Sequence, residues 1–201
     1  MKLFYTPGAC SLAPHFALAE AGVNYQLVPV DLRAKTFPGG DFKTINPKGY
    51  VPALQLDNGE VLSECSAILQ YVAELKPDAK LLPQVGQLAR YRCLEWLNYI
   101  ATELHKGFGP LWDPSTSEAA QKAAKDKLTQ RLNFVEAELE GKDYLLGAQY
   151  SIADSYLYTV LSWSHYVKFD LTAWPRLLGF MERVNIRPAT QQVLKAEGLL
   201  K

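Results

Sequence analysis

One of the three cysteines in the 201-residue chain has a setting that suits chemistry: Cys10, within Phe4-Tyr5-Thr6-Pro7-Gly8-Ala9-Cys10-Ser11-Leu12-Ala13-Pro14-His15-Phe16. Lys2 to Tyr5 reads as a short strand that Pro7 and Gly8 break. Apolar residues at helical spacing (Leu12, Phe16, Ala19) follow at once and stop at Gly22. Cys10 is therefore predicted in a strand-to-helix turn, at a helix N-terminus. First-turn N–H groups there lack internal partners and the macrodipole adds partial positive charge, so a thiolate is favoured. A free cysteine titrates near about 8.5, and such settings lower that to roughly 3.5–7.5. Ser11 is the expected N-cap, and Pro14 is tolerated in the first turn. The chemistry served would be nucleophilic or redox work by a thiolate. Cys10 would equally serve as a small buried filler of a tight turn, and this stretch alone does not separate the two.

Thioredoxin-type enzymes carry a second thiol three residues on, but position 13 is Ala. Any redox step at Cys10 is thus expected to borrow its second thiol from a ligand. Cys65 and Cys93 fall in helical segments and read as packing residues. Three cysteines without repeating spacing argue against structural disulfides. No His-Glu-x-x-His, paired-Cys, Gly-rich phosphate loop or G-x-S-x-G pattern occurs, so neither a metal nor a cofactor is expected. With 21 Lys and Arg against 21 Asp and Glu, nothing global favours nucleic acid or an anionic membrane. No run of 18 uncharged apolar residues and no basic-then-apolar leader pattern are seen, which predicts a soluble cytoplasmic protein.

The elements that must position Cys10 can be read in order. Tyr25 to Val30 alternates like a strand, with Pro29 placing it at an edge or a strand end. Asp31 to Ile45 is polar and irregular, and Lys35 within it reads as solvated. Asn46-Pro47-Lys48-Gly49-Tyr50 is a turn cluster before a strand at 51–56. Asp57-Asn58-Gly59 is a hairpin signal returning through Val61-Leu62. Ser63 is the expected cap of a helix with Ile68, Leu69, Val72 and Leu75 on its face, ended by Pro77.

Beyond a boundary at residues 76–83 the pattern is helical throughout. One long helix is expected over 84–108, striped by Leu88, Tyr91, Leu94, Leu97, Ala101, Leu104 and Phe108 and closed by Gly107, Gly109 and Pro110. Ser115-Thr116-Ser117-Glu118 is a capping box for a helix carrying Leu128, Leu132, Val135 and Leu139. Ser151-Ile152-Ala153-Asp154 opens a segment apolar on nearly all sides, which belongs at the centre of a bundle, with Asp154 structural. Shorter helices are expected from Trp174 to Val184 and from Pro188 to Lys195. His15 reads as structural.

A half reading β-α-β, an irregular or partly helical link and β-β-α, followed by an all-helical half, with a cysteine after the first strand and a proline before the third, is the thioredoxin-like arrangement. The chain resembles the bacterial, beta-class glutathione transferases over essentially its whole length. The resemblance is carried by Lys-Leu-Phe-Tyr and Pro-Gly-Ala-Cys-Ser within residues 2–11, Asn-Pro-Lys-Gly-Tyr-Val-Pro-Ala-Leu at 46–54 and Leu-Ser-Glu-Cys-Ser-Ala-Ile at 62–68. Trp-Leu-Asn-Tyr-Ile-Ala-Thr-Glu-Leu-His-Lys at 96–106 and Ser-Ile-Ala-Asp at 151–154 add to it.

The resemblance implies an α/β plus all-α fold: a thioredoxin-like glutathione-binding domain at 1–80 and an all-helical domain at 84–201 contributing a hydrophobic substrate site. It implies a cis Val51-Pro52 peptide exposing the Val51 backbone to the cysteine of glutathione. Lys35 would meet the glycine carboxylate, Glu64 the ammonium and Ser66 the carboxylate of the γ-glutamyl end. Tyr5, Cys10 and Ser11 would lie at the sulfur, and His105 and Lys106 would border the hydrophobic site. Asn98 and Glu103 would reach the glutathione of a second subunit in a homodimer. Cys10, Ser11 and His105 are the catalytic set so implied. The implied activity is conjugation of glutathione, a co-substrate and not a cofactor, to hydrophobic electrophiles in detoxification, with thiol-disulfide exchange through a Cys10-glutathione mixed disulfide. Two rivals are a glutaredoxin-like oxidoreductase and a non-enzymatic binding module of the same fold.

Overall fold

A computed structural model of the chain describes residues 1–200; Lys201, the last residue of the expected second domain, lies outside the described residues. Two compact units are present. One comprises residues 1–82 together with 187–200, the other Pro83–Ile186. The sequence pattern places the final helix in the all-helical part, whereas it groups with the first unit.

The first unit runs β1 (Lys2–Tyr5), α1 (Leu12–Glu20), β2 (Gln26–Pro29), β3 (Thr36–Phe37), β4 (Gly40–Asp41), β5 (Ala53–Gln55), β6 (Val61–Ser63) and α2 (Cys65–Leu75). The main sheet has the order β2-β1-β5-β6, with β1 and β2 parallel and the other pairs antiparallel. Pro29 ends the edge strand opposite Tyr5, where its missing N–H interrupts least. The expected hairpin pairs Leu54 with Leu62, and Gly59 supplies the positive φ its turn needs. Leu3, Leu12, Phe16, Leu54, Ile68, Leu69 and Val72 are fully buried, so the apolar faces of strands and helices meet as their spacing dictates.

A second small cluster joins Phe4, Val30, Phe42, Val51 and Ala53. The β3-β4 ribbon and a 3₁₀ turn at Phe42–Thr44 lie in the stretch expected to be irregular. Two-residue strands are too short to show alternation. Their anchors are long-range, with Phe37 and Phe42 ring centroids 5.4 and 5.7 Å from Phe4.

Two caps differ from expectation. Ser11 occupies the N-cap position of α1 but makes no capping bond, because its hydroxyl is tied to the backbone of Thr6. Ser63 is the last residue of β6, and α2 is entered through Glu64, at φ 75°.

The second unit is helical: α3 (Leu88–Tyr99), a π-helical turn at Ile100–His105, α4 (Lys106–Trp112), α5 (Glu118–Glu138), α6 (Ile152–Ser162) and α7 (Pro175–Asn185). The expected single helix over 84–108 is thus three pieces. Its buried stripe is Cys93, Trp96, Leu97, Ile100, Leu104 and Phe108, while Leu88 and Tyr91 are exposed. Asn98 Nδ2 donates to Leu94 O and Thr102 Oγ1 to Asn98 O, so side chains satisfy carbonyls where the helix widens. Gly107, Gly109 and Pro110 do not end it. Gly107 lets α5 come close: a Cβ there would lie 2.8 Å from Leu128 Cδ2. The cap of α5 is Ser117, accepting from Ala120 N, and Ser115 instead donates to Asp113. Residues 152–161 of α6 are all buried, as its all-round apolarity requires.

The chain then returns as α8 (Pro188–Ala196), which packs on α1. Arg187 donates to both carboxylate oxygens of Glu20 at 2.6 and 2.8 Å. Glu197, just past α8, is fully buried against His15 and accepts from Gly8 N. These polar ties, invisible to periodicity, place the last helix with the first unit.

Candidate active site

The antiparallel pairing of β1, β5 and β6 brings the end of β1, the start of β5 and the end of β6 to the same end of the sheet. The turns at that end hold Cys10, Val51-Pro52 and Glu64. Cys10 is partly exposed, and its Sγ donates to Val51 O at 3.1 Å. The Val51–Pro52 peptide is cis, and both residues are buried. Ala9 N bonds Thr6 O, and Ala13 N bonds Cys10 O, so the turn runs directly into α1.

Ser11 is fully buried and its hydroxyl bonds both N–H and C=O of Thr6. That arrangement holds the turn that carries Cys10. Tyr5, at the end of β1, titrates above its ordinary range, first through burial and then through the Glu197 carboxylate, so its phenol stays protonated at neutral pH.

The remaining residues of the first unit form a connected rim. Lys35, at φ 59°, donates from Nζ to Gly49 O at 2.9 Å and lies over the Tyr50 ring. Asn46 Nδ2 donates to Tyr50 O and fixes the turn before Val51. Lys48 bridges Ser63 Oγ and the Glu64 carboxylate. Ser66 is half-buried in the first turn of α2, where free N–H groups and the dipole favour an anion.

Two members of the site escape sequence reasoning. Lys48 reads only as part of a turn cluster, yet it pairs with Glu64. Cys65 reads as a packing residue, yet its Sγ donates to Cys10 O at 3.4 Å. The cap expected at Ser63 hides it, since moving the helix start one residue on makes Cys65 the first helical residue. Cys93 is a packing residue as its helical setting predicts, with its thiol pushed up to about 11 by burial.

The other expected residues lie in the second unit. His105 ends the π turn; its Nδ1 and the Tyr156 hydroxyl are 2.7 Å apart, and its ring stands edge-on to Trp163 at 4.8 Å. Lys106 is exposed at the start of α4. Trp112 ends α4, and Tyr166 follows a 3₁₀ turn at Trp163–His165 beyond α6; their half-exposed rings are 6.3 Å apart, with Trp112 also against Trp163. Asn98 is exposed and spends its amide on Leu94 O. Glu103 accepts from Arg131 Nε at 2.6 Å, in a groove of about 1000 Å³ between α3 and α5 lined also by Trp96, Tyr99 and Phe134.

The chain is similar to known proteins along nearly its whole length. Residues 8–75 match the model of the glutathione S-transferase N-terminal domain, and residues 99–188 that of the C-terminal domain. The chain is 48% identical to the glutathione S-transferase GstA of Escherichia coli O157:H7, over 99% of this chain and all of the relative. A sphingomonad glutathione S-transferase solved with glutathione is 47% identical with a TM-score of 0.95, each chain covered in full. The beta-class glutathione S-transferase of Sphingomonas chungbukensis is 46% identical, also with a TM-score of 0.95 and full coverage of both chains.

Proposed function

As the chain belongs to the bacterial beta class of the glutathione S-transferase family, we propose that its transferase activity joins the sulfur of reduced glutathione to hydrophobic electrophiles, a detoxifying conjugation, and that Cys10 also exchanges disulfides with glutathione. The observation that carries the reading is the partly exposed Cys10 thiol held on Val51 O at the mouth of α1. A tripeptide thiol laid there as an added strand along Val51 meets the first-turn N–H groups of α1. Those donors favour its thiolate, and holding it beside an acceptor supplies much of the rate. The sphingomonad relative, solved with glutathione, supports that ligand.

Each end of the tripeptide has a suitable group in the first unit. The Lys35 ammonium, aimed at Gly49 O, takes the glycine carboxylate, while Glu64 exchanges Lys48 for the γ-glutamyl ammonium. Ser66 and the N-terminus of α2 take the neighbouring carboxylate. Ser11 positions the turn, and Tyr5 offers a neutral phenol. The electrophile is bordered by His105, Lys106 and the aromatic surface of Trp112, Trp163 and Tyr166, whose faces suit aryl groups. Glutathione is a co-substrate, and no cofactor takes part.

The protein acts as a cytoplasmic homodimer in which Asn98 and Glu103 approach the partner's glutathione and the α3-α5 groove is covered. Three cysteines kept as thiols suit a reducing compartment. Initial rates with glutathione and an activated aryl halide, beside exchange rates with a glutathione mixed disulfide, test the assignment. The double variant Cys10→Ala, Ser11→Ala is expected to lose exchange and to slow conjugation; unchanged rates in both assays would refute the site. Sedimentation velocity at micromolar protein should show a dimer.

A further inference from the structure

We propose that Cys65 is the resolving thiol of Cys10, so that the glutathione mixed disulfide on Cys10 is discharged within the chain as a Cys10–Cys65 disulfide; the inference rests on the mixed-disulfide reading above. Cys65 Sγ donates to the Cys10 carbonyl oxygen at 3.4 Å. Bonds of about 1.23 and 1.52 Å join that oxygen to its own Cα, so the sulfur lies within about 6 Å of the Cys10 Cα. Disulfides link Cα atoms roughly 4.4–6.8 Å apart; the Cys65 sulfur already lies against the Cys10 backbone, and the bridge needs the Cys10 side chain to turn from Val51 O toward it. Both thiols also sit at helix N-termini, Cys10 before α1 and Cys65 as the first residue of α2, where the dipole supports the thiolate that exchange requires. Cys65 is buried while Cys10 is partly exposed. A thiol placed so is shielded from bulk disulfides but adjacent to whatever forms on Cys10.

The electron balance closes with a glutathione disulfide as oxidant. The Cys10 thiolate attacks one of its sulfurs, forming the Cys10–glutathione bond and expelling one glutathione thiolate. The Cys65 thiolate then attacks the Cys10 sulfur, forming the Cys10–Cys65 bond and breaking the bond to glutathione. The second glutathione leaves as a thiolate and takes up the proton that Cys65 released. One glutathione disulfide becomes two glutathiones, and two protein thiols become one disulfide. The chain thus contains the second thiol that position 13 lacks.

The test incubates the full-length reduced protein with oxidised glutathione, quenches by alkylation at intervals, and reads intact mass and disulfide-linked peptides. The wild type is expected to pass through a glutathione adduct to a product lighter than the reduced protein by two hydrogens, with Cys10 and Cys65 linked. In Cys65→Ser the adduct on Cys10 should persist, with a lifetime on the order of tenfold longer or more. An adduct equally persistent in wild type and variant overturns the role of Cys65 and leaves the mixed-disulfide reading intact. No adduct in the variant together with no disulfide in the wild type overturns both. The wild-type time course decides the matter even if the variant folds poorly, since a stable adduct there is already contrary.

Discussion

Lys35 and Glu64 both hold backbone conformations that favour glycine, at φ 59° and 75°. Such positions cost on the order of 1–3 kcal/mol and persist where a side chain is needed in one place. Glu64 shows the trade most clearly, because its exposed pair with Lys48 adds little stability. Glu64→Gly should therefore stabilise the protein by up to about 2.5 kcal/mol after the entropy of glycine is subtracted. It should also raise the KM for glutathione about tenfold or more by removing a charge-assisted contact. Thermal melts and initial rates check both halves, and an unchanged KM would remove Glu64 from the site. The thiols offer a second residue-level forecast. Iodoacetamide at pH 8 should label Cys10 and spare Cys93, whose thiol titrates near about 11; peptide mapping reads it. Cys10 was legible because proline, glycine and the first helical stripe surround it. Cys65 was not, since its importance comes from a neighbour 55 residues away.

Among the elements, α6 was legible in both pattern and cap, and the cap has a pH signature. The buried Asp154 carboxylate accepts from Ser151 N, Ser151 Oγ and Leu145 N. Burial nevertheless outweighs these bonds and lifts its pKa from 3.8 to about 6. Between those values the folded chain keeps a proton that the unfolded chain has released. The stabilising contribution is therefore complete below the unfolded value and lost as pH rises through the folded one. Asp154→Ala should destabilise at pH 7 through loss of the cap. Its deficit against wild type should then widen by about 1–3 kcal/mol on acidification to about pH 4.5, because a proton held tenfold more tightly by the folded chain is worth roughly 1.4 kcal/mol. Urea unfolding of both proteins across pH measures the difference, and a deficit that narrows would contradict the assignment. The π turn was not legible, because a 3.6-residue stripe fits Leu88 and Tyr91 equally well until the side chains of Asn98 and Thr102 are seen bonding the carbonyls one turn back. The tight approach at Gly107 belongs to the same stretch: Gly107→Ala should cost up to about 2 kcal/mol in a thermal melt, the displacement of buried Leu128 exceeding the roughly 1 kcal/mol that Ala gains over Gly in a helix.

At the scale of the whole chain, the informative fact is that the first unit is completed only after the second has been made, by residues 187–200. A sequence boundary at 76–83 captured where the chain leaves the first unit but carried no sign of its return. The return is secured by polar atoms. Glu197 Oε1 lies 2.7 Å from His15 Nδ1, Glu197 Oε2 accepts from Gly8 N, and Arg187 grips Glu20. His15 Nε2 is buried without a hydrogen-bond partner among the described residues, so Glu197 is the only support of that ring's polar edge. Leaving a buried polar group without its partner typically costs about 1–3 kcal/mol, and uncovering Val193 and Leu194 adds about 1.5–3 kcal/mol for each. Together these rival the roughly 5–15 kcal/mol that holds a whole domain. A chain ending at Ile186 should thus lose the fold of its first unit and with it glutathione binding, although every residue proposed for the glutathione site there, from Tyr5 to Ser66, is still present. Glu197→Gln, which keeps an acceptor near Gly8, should fold and lose only about 1–3 kcal/mol. Calorimetric titration of glutathione into each protein separates the cases: unchanged affinity in the truncated chain would show that the Cys10 turn stands without α8 and without the buried carboxylate beneath it.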